Sequence, residues 1–228
     1  VVILPNLSRQ HATASREGFS QMLDWALRWA LLIGLPATVA LVILAGPLLT
    51  ALFQYGAFDA RDVAMASRSL MAYSLGLLAF MLVKVLAPGF YARQDTRTPV
   101  RAGIIAMAAN MVLNVLLIFP LAHAGLALAT SLSSFVNAGL LYWRLRQDDA
   151  YRPGADWPGF LARIGVANLL MGAFLVYAAG DLGQWLAANA HERLLHLTWV
   201  VFGGLAVYIV AVIAVGLRPR HLRVAADV

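Results

Sequence analysis

The chain has 228 residues, of which 61% are hydrophobic and 12% charged, with a formal net charge of +6. A soluble domain carries about 25% charged residues, so the composition excludes an ordinary water-soluble globule and points to a polytopic membrane protein. The chain contains no cysteine, which excludes a disulfide framework and any thiolate metal site.

The opening "VVILPNLSRQ" has neither a methionine start nor a basic segment before an apolar run, so no cleavable signal is visible. Val1 to Leu4 read as the tail of an earlier span, and the chain as a fragment. A membrane helix needs about 20 apolar residues, and six stretches meet that demand, at about 29–53, 69–92, 102–119, 124–143, 164–180 and 194–217. The expected fold is therefore all-α with six transmembrane helices in one membrane domain over residues 1–228. Between Arg101 and Arg144 no Lys, Arg, Asp or Glu occurs, and "FPLAHAG" interrupts the run. That stretch is too long for one helix and reads as two antiparallel helices with a tight turn.

Six spans put both ends of the chain on one side. Arg9, Arg16, Arg28, Arg93, Arg97, Arg101, Arg144, Arg146, Arg152, Arg163, Arg218, Arg220 and Arg223 fall on that side; Arg61, Arg68 and Arg193 fall on the other. The positive-inside rule then places both ends in the cytoplasm. The arginines are spread over several loops rather than one basic face, so the charge reflects topology and anionic headgroups and not nucleic-acid binding. Trp25, Trp29, Tyr55, Tyr91, Trp143, Trp157 and Trp185 all lie near span ends and read as an interfacial aromatic belt.

Within the second span, Lys84 is the only charge. Pro88 lacks the amide that would bond the carbonyl of residue 84, so a bend is expected there, with Pro88 and Gly89 as a hinge. A lysine in mid-membrane costs about 2.5–3.5 kcal/mol on insertion scales. It either snorkels or pairs locally, or it lines a polar cavity. In "RQDTRTPVR", Thr98 reads as an N-cap before Pro99, with Asp95 supporting the turn.

The third span carries Ala102, Ala106, Asn110 and Asn114 on one face, and the fourth carries Gly125, Ala129, Ser133 and Asn137 at the same spacing of four. Small residues along a face favour close helix packing. Asn114 and Thr130 also lie at similar depth, each eight residues from the turn, with Asn110 one turn deeper on the Asn114 face; their hard oxygens suit a small cation, for which neither helix supplies a carboxylate. No enzyme constellation is visible. "HERLLH" sets His191 and His196 five residues apart, about 140° around a helix, so they cannot share a metal as i, i+4 histidines do.

"LFQYGAFDARD", "KVLAPGFYARQDTRTPV" and "PLAHAGLALATSLSSFVNAGLLYWRLR" closely resemble the MurJ/MviN family of bacterial lipid II flippases, within the superfamily of multidrug and oligosaccharidyl-lipid exporters. The resemblance implies the last six helices of a fourteen-helix, two-lobe flippase of the cytoplasmic (inner) membrane, the bulk of its second lobe. It further implies alternating access around a central cavity, with lipid II (the undecaprenyl-linked disaccharide-peptide) as cargo, membrane lipids around it and cell-wall synthesis machinery as candidate partner. The resemblance implies a transporter rather than an enzyme and no cofactor, with sodium or the membrane potential as the candidate couplings. By the same resemblance Asn110, Asn114 and Thr130 stand at sodium-site positions, with Asn114 where an aspartate can occur. The lipid-tail groove maps to Phe160 through Ala179 and Leu194 through Leu217, and Lys84 falls in the tenth helix of a lobe whose inner face lines the transport cavity, as a candidate transport residue. The family's substrate arginines lie upstream of Val1. Alternatives are a flippase for another polyprenyl-linked glycan, a drug exporter of the superfamily, or a non-transporting membrane scaffold.

Overall fold

A computed structural model describes residues 16–217. The opening stretch from Val1, together with Arg9, Arg218, Arg220 and Arg223, lies outside the described residues. Nine helices are described: α1 (Arg16–Ile43), α2 (Ala45–Phe53), α3 (Ala60–Ser74), α4 (Leu77–Tyr91), α5 (Arg97–Leu121), α6 (His123–Gln147), α7 (Trp157–Ala179), α8 (Leu182–Ala187) and α9 (Ala190–Ala214). The described residues hold no strand. Six helical stretches are long and apolar enough to cross a membrane: Glu17–Ile43, Ala60–Tyr91, Arg97–Leu121, His123–Gln147, Trp157–Ala179 and Ala190–Ala214.

The first span begins a dozen residues earlier than the sequence suggests and stops sooner. Pro47 has no amide proton, and its ring crowds the carbonyl of residue 43, so α1 ends at Ile43 and α2 starts afresh. The second span starts earlier too, because Asp59 caps α3: its Oδ1 accepts from the amides of Arg61 at 2.7 Å and Asp62 at 3.0 Å, and Asp62 Oδ2 accepts from the Asp59 amide at 3.1 Å. This reciprocal box satisfies the free amides of a helix start. The span is interrupted at Leu75 and Gly76, where α6 approaches so closely that a Cβ on Gly76 would sit 2.8 Å from the Ser131 Cα. Ser131 Oγ donates to the carbonyls of Ala72 at 2.6 Å and Tyr73 at 3.1 Å, satisfying backbone that the interruption frees.

The α5–α6 turn centres on Ala122, at φ +49°, and Gly125 lies against the backbone of Leu117. At the start of α5 the sequence expectation needs correction. Thr98 lies inside the first turn rather than at the cap; Asp95 Oδ1 accepts from the Arg97 and Thr98 amides, each at 3.0 Å. Hydrogen bonding from the Thr98 side chain, aided by these amides, holds the Asp95 carboxyl below its ordinary range.

The two largest of four apolar clusters divide the bundle. Leu23 and Leu27 of α1, Leu86 and Phe90 of α4, and Leu141 and Leu145 of α6 form one, closed by Tyr151. Met171 and Leu175 of α7 with Val200 and Tyr208 of α9 form the other, against Leu44. Helix α5 packs almost wholly on α6, and only Pro99, Ala102 and Ala106 of its residues are buried.

Pro36 lies inside α1 and leaves the Leu32 carbonyl without its helical donor. The Tyr208 hydroxyl of α9 donates to that carbonyl at 2.7 Å, so a defect in one span becomes a tie to another. Tyr208→Phe should cost about 1–3 kcal/mol by orphaning a buried carbonyl. In a Pro36→Ala background the helix amide returns and the cost should shrink, as thermal unfolding in detergent would register.

Candidate functional site

Asn110, Asn114 and Thr130 come together, but one turn out of the expected register: spacing from the turn sets Asn114 level with Thr130, whereas Asn110 is the one that faces it. The Asn114 Nδ2 donates to Asn110 Oδ1 at 3.0 Å, and Asn110 Nδ2 faces Thr130 Oγ1 at 3.4 Å and Ser133 Oγ at 3.3 Å. Thr130, Ser133 and Ser134 send their hydroxyl protons back to carbonyls of α6, at Leu126 for Thr130 and at Thr130 for both serines. A shallow, open pocket of about 240 Å³ lies over this seam, lined by Ala106, Met107, Asn110, Thr130, Ser133, Ser134 and Asn137. The Oδ1 atoms of Asn114 and Asn137 are buried without a hydrogen-bond partner. As oriented, Asn110 points its amide protons toward the hydroxyls, so it clamps two helices. A cation would instead need converging oxygens. No cluster of three or more His, Cys, Asp or Glu occurs among the described residues, and the oxygens here are neutral. The seam therefore does not by itself make a complete cation site.

Lys84 lies on the exposed side of α4. Its neighbours Val85 and Leu86 face the first core, and among the described residues it has no hydrogen-bond or ion-pair partner. Pro88 and Gly89 lie in the last turns of a continuous α4, with Gly89 buried against Phe19 and Leu145.

The most connected polar cluster was not read from the sequence. Arg28, 7% exposed, donates Nε to Asp24 Oδ2 and both terminal nitrogens to the two oxygens of Asp156, each at 2.7 Å. Its guanidinium lies 5.4 Å from the Trp157 ring and 5.2 Å from the Phe160 ring. Asp24 Oδ1 accepts from Tyr151 Oη at 2.7 Å and from Trp157 Nε1. A cation taken out of water is thus paired, bidentate and stacked. Burial first, and then the bond to Asp24, push the Tyr151 phenol well above its usual range. The one local signal was the i, i+4 spacing of Asp24 and Arg28; Asp156 is 128 residues further on.

A second buried arginine sits at the opposite end. Arg193, 8% exposed, donates to the carbonyls of Thr50 and Gln54 at 3.3 Å and of Leu186 at 3.0 Å. It thereby caps the C-terminal ends of α2 and α8, where the helix dipole favours a cation. Trp185, expected in the interfacial belt, is instead 2% exposed. It stacks on His196 at 4.5 Å and donates Nε1 to the Ala179 carbonyl at 2.7 Å. Trp157 likewise turns its nitrogen inward to Asp24, whereas Tyr55, Tyr91 and Trp143 are about half exposed.

These features define an all-helical protein with six helical stretches long and apolar enough to cross a membrane, two arginine-pinned ends and a polar seam between adjacent spans. A family model described as lipid II flippase MurJ matches residues 1–195. A probable lipid II flippase MurJ of Vibrio cholerae is 43% identical over 226 residues, covering 99% of this chain and 43% of the relative. One from Haemophilus influenzae is 41% identical, covering 97% and 44%; a lipid II flippase MurJ of Burkholderia cenocepacia is 39% identical, covering 82% and 35%. Among solved structures, a lipid II flippase MurJ in an inward closed conformation matches with a TM-score of 0.73 at 23% identity, covering 92% of this chain and 41% of that one. The chain belongs to the lipid II flippase MurJ family. It spans less than half the length of these relatives.

Replacing Arg28 by Met should destabilise the fold by about 3 kcal/mol, because two carboxylates lose their cation; Asp156→Asn should cost less, its side chain being 58% exposed. Denaturant titration of each variant in detergent measures both. The raised Tyr151 phenol means that the folded state keeps a proton which the unfolded chain releases near pH 10. Stability should therefore be full below about pH 10 and fall above it, and Tyr151→Phe should flatten that alkaline slope.

Proposed function

We propose that this chain is the second-lobe part of a flippase that carries lipid II across the inner membrane by alternating access. The observation that supports it is the match over nearly the whole chain to relatives described as lipid II flippases. The arginine distribution favours cytoplasmic chain ends.

In this reading Lys84 contributes its charge to the polar face that meets the other lobe. An unpartnered, exposed cation on a span suits a water-filled path better than acyl chains. Gly76, at the interruption between α3 and α4, and the Pro88–Gly89 turn near the end of α4 are the points where this span bends as the lobes rock. Asn110, Asn114 and Thr130 supply the neutral oxygens of a sodium site, its carboxylate coming from outside this chain. The exposed flanks of α7 and α9 hold the lipid tail; Leu169, Val176, Phe202 and Ile213 are each more than 60% exposed.

Complementation tests the function. In cells depleted of their lipid II flippase, the gene extended upstream to the length of the relatives should restore growth. Failure of the extended gene, expressed and inserted, would favour another polyprenyl-linked glycan as cargo. In the rescued strain Lys84→Ala should lower lipid II translocation about tenfold or more with protein abundance unchanged, if the lysine's field acts on the passing pyrophosphate; unchanged translocation would return Lys84 to a snorkelling role.

A further inference from the structure

Two neighbouring residues of α6 reach two different spans. Thr130 faces α5, where its Oγ1 lies 3.4 Å from Asn110 Nδ2 in the seam. Ser131, the next residue, is 1% exposed and faces the second span. The hydroxyls of Thr130, Ser133 and Ser134 return their protons to carbonyls of α6 itself. Ser131 sends its proton out of the helix, to the Ala72 carbonyl at 2.6 Å, shared with that of Tyr73 at 3.1 Å.

At that contact the second span keeps its course while its hydrogen-bond ladder opens. Leu75 and Gly76 hold right-handed helical angles, so the chain makes no loop there. A regular helix would aim the Gly76 amide at the Ala72 carbonyl; here it bonds Tyr73 at 3.0 Å instead, and Leu75 reaches Met71 at a stretched 3.3 Å. The Ser131 hydroxyl stands where the Gly76 amide would otherwise be. A side chain inserted into the i→i−4 ladder is one of the few physical causes of a helix bend.

The Ala72 carbonyl thus has two alternative donors, the Ser131 hydroxyl with the ladder open or the Gly76 amide with it closed. A dry interior does not let it go without both. Which one serves it depends on where α6 stands, because the approach has no slack: a Cβ on Gly76 would lie 2.8 Å from the Ser131 Cα. On its other face, α6 is held by the seam, through Asn110 against Thr130 and Ser133. Coupling between two places needs an element with two discrete arrangements that both places bias, and the ladder at Gly76 is such an element.

We propose that Ser131 couples the α5–α6 seam to the bend of the second span. A shift of α6 that remakes the seam inserts or withdraws the Ser131 hydroxyl at Ala72, and the ladder opens or closes with it. Lys84, about two turns beyond Gly76, moves with the bend. The inference rests on the reading of Gly76 as a bending point and adds the residue that sets the bend, so Ser131 is a positioning residue.

The chain has no cysteine, so spin labels at Ala64→Cys on α3 and Ala187→Cys at the end of α8, both exposed positions, can report the bend by double electron–electron resonance in detergent. Ala64 stands about 18 Å along the helix from Gly76, and a bend of about 20° moves it by about 6 Å. Ser131→Ala should shift the populations of open and closed distances at least roughly fivefold toward closed. Asn110→Ala, which loosens the seam, should shift the same ratio, and in the Ser131→Ala background its effect should vanish. Ser69→Ala, whose hydroxyl bonds only the Met65 carbonyl of its own helix, should change nothing. If either variant does not fold, Ser131→Gly and Asn110→Ser carry the same cycle. The proposal is overturned if Ser131→Ala leaves the distances unchanged, as it would if the serine only filled space. It is equally overturned if Asn110→Ala acts in neither background or alike in both. In the rescued strain, Ser131→Ala should also lower lipid II translocation roughly fivefold at unchanged abundance; shifted distances with full translocation would uphold the coupling and remove the bend from the transport cycle.

Discussion

The Arg28 cluster is the contact on which the arrangement of the spans depends. A guanidinium taken out of water loses hydration worth several kcal/mol, and it is recovered only where charge and hydrogen bonds are both supplied. Here α1 provides Asp24 and the α6–α7 connection provides Tyr151 and Asp156, with Trp157 opening α7. One side chain thus fixes the first span against the connection and against the start of the fifth span. Gly154 is part of the same fit, because a Cβ there would stand 2.8 Å from Asp156 Oδ1. The first apolar core then closes under this lid, with Tyr151 as a member of both.

Arg193 solves the same problem at the other end by a different route. It has no carboxylate; its partners are carbonyls at the ends of α2 and α8. Partial charges at helix ends substitute for an acid. The terminal pair α7 and α9 is therefore anchored to α1 at one end through Arg28 and to α2 at the other through Arg193. Between the anchors, Gly203 and Gly204 bring the two helices close to Phe174 and Leu175, and the Tyr208 hydroxyl ties α9 to the Pro36 defect of α1. A bilayer offers no water to satisfy freed backbone groups, so the Pro36 defect and the two buried arginines become inter-helix contacts.

Much of this fold was legible because membrane insertion selects on composition in long windows. The six spans and the tight α5–α6 turn follow from run length and helical period, and the facing of α5 amides and α6 hydroxyls follows to within one turn. What stayed hidden depends on distance or on local chemistry that run length ignores. Arg28 and Asp156 are remote in sequence, so nothing local announces their pairing. The first span was misplaced because charged Arg28 looked like an end, although its partners allow it inside. Trp185 was assigned to the surface for being near a span end, yet His196, more than two helical turns of chain away, gives it a buried stacking partner. Asp95 outcompetes Thr98 as the α5 cap because its carboxylate reaches two amides at once.

The seam between α5 and α6 leaves buried polar atoms that its own two helices do not satisfy. Asn114 Oδ1 and Asn137 Oδ1 are buried and unpartnered, and lipid cannot satisfy them. Helix α5 has one protein neighbour of any extent, α6, and most of its remaining surface is exposed and apolar. These are two different demands on two different faces. The apolar strip is content with acyl chains; the amide-lined pocket requires water or protein. A segment that packs over the seam would supply the missing partners while leaving the strip to lipid. The neutral donors along the seam offer adaptable hydrogen-bonding ground for such a contact, and its oxygens alone carry no negative charge with which to hold a cation.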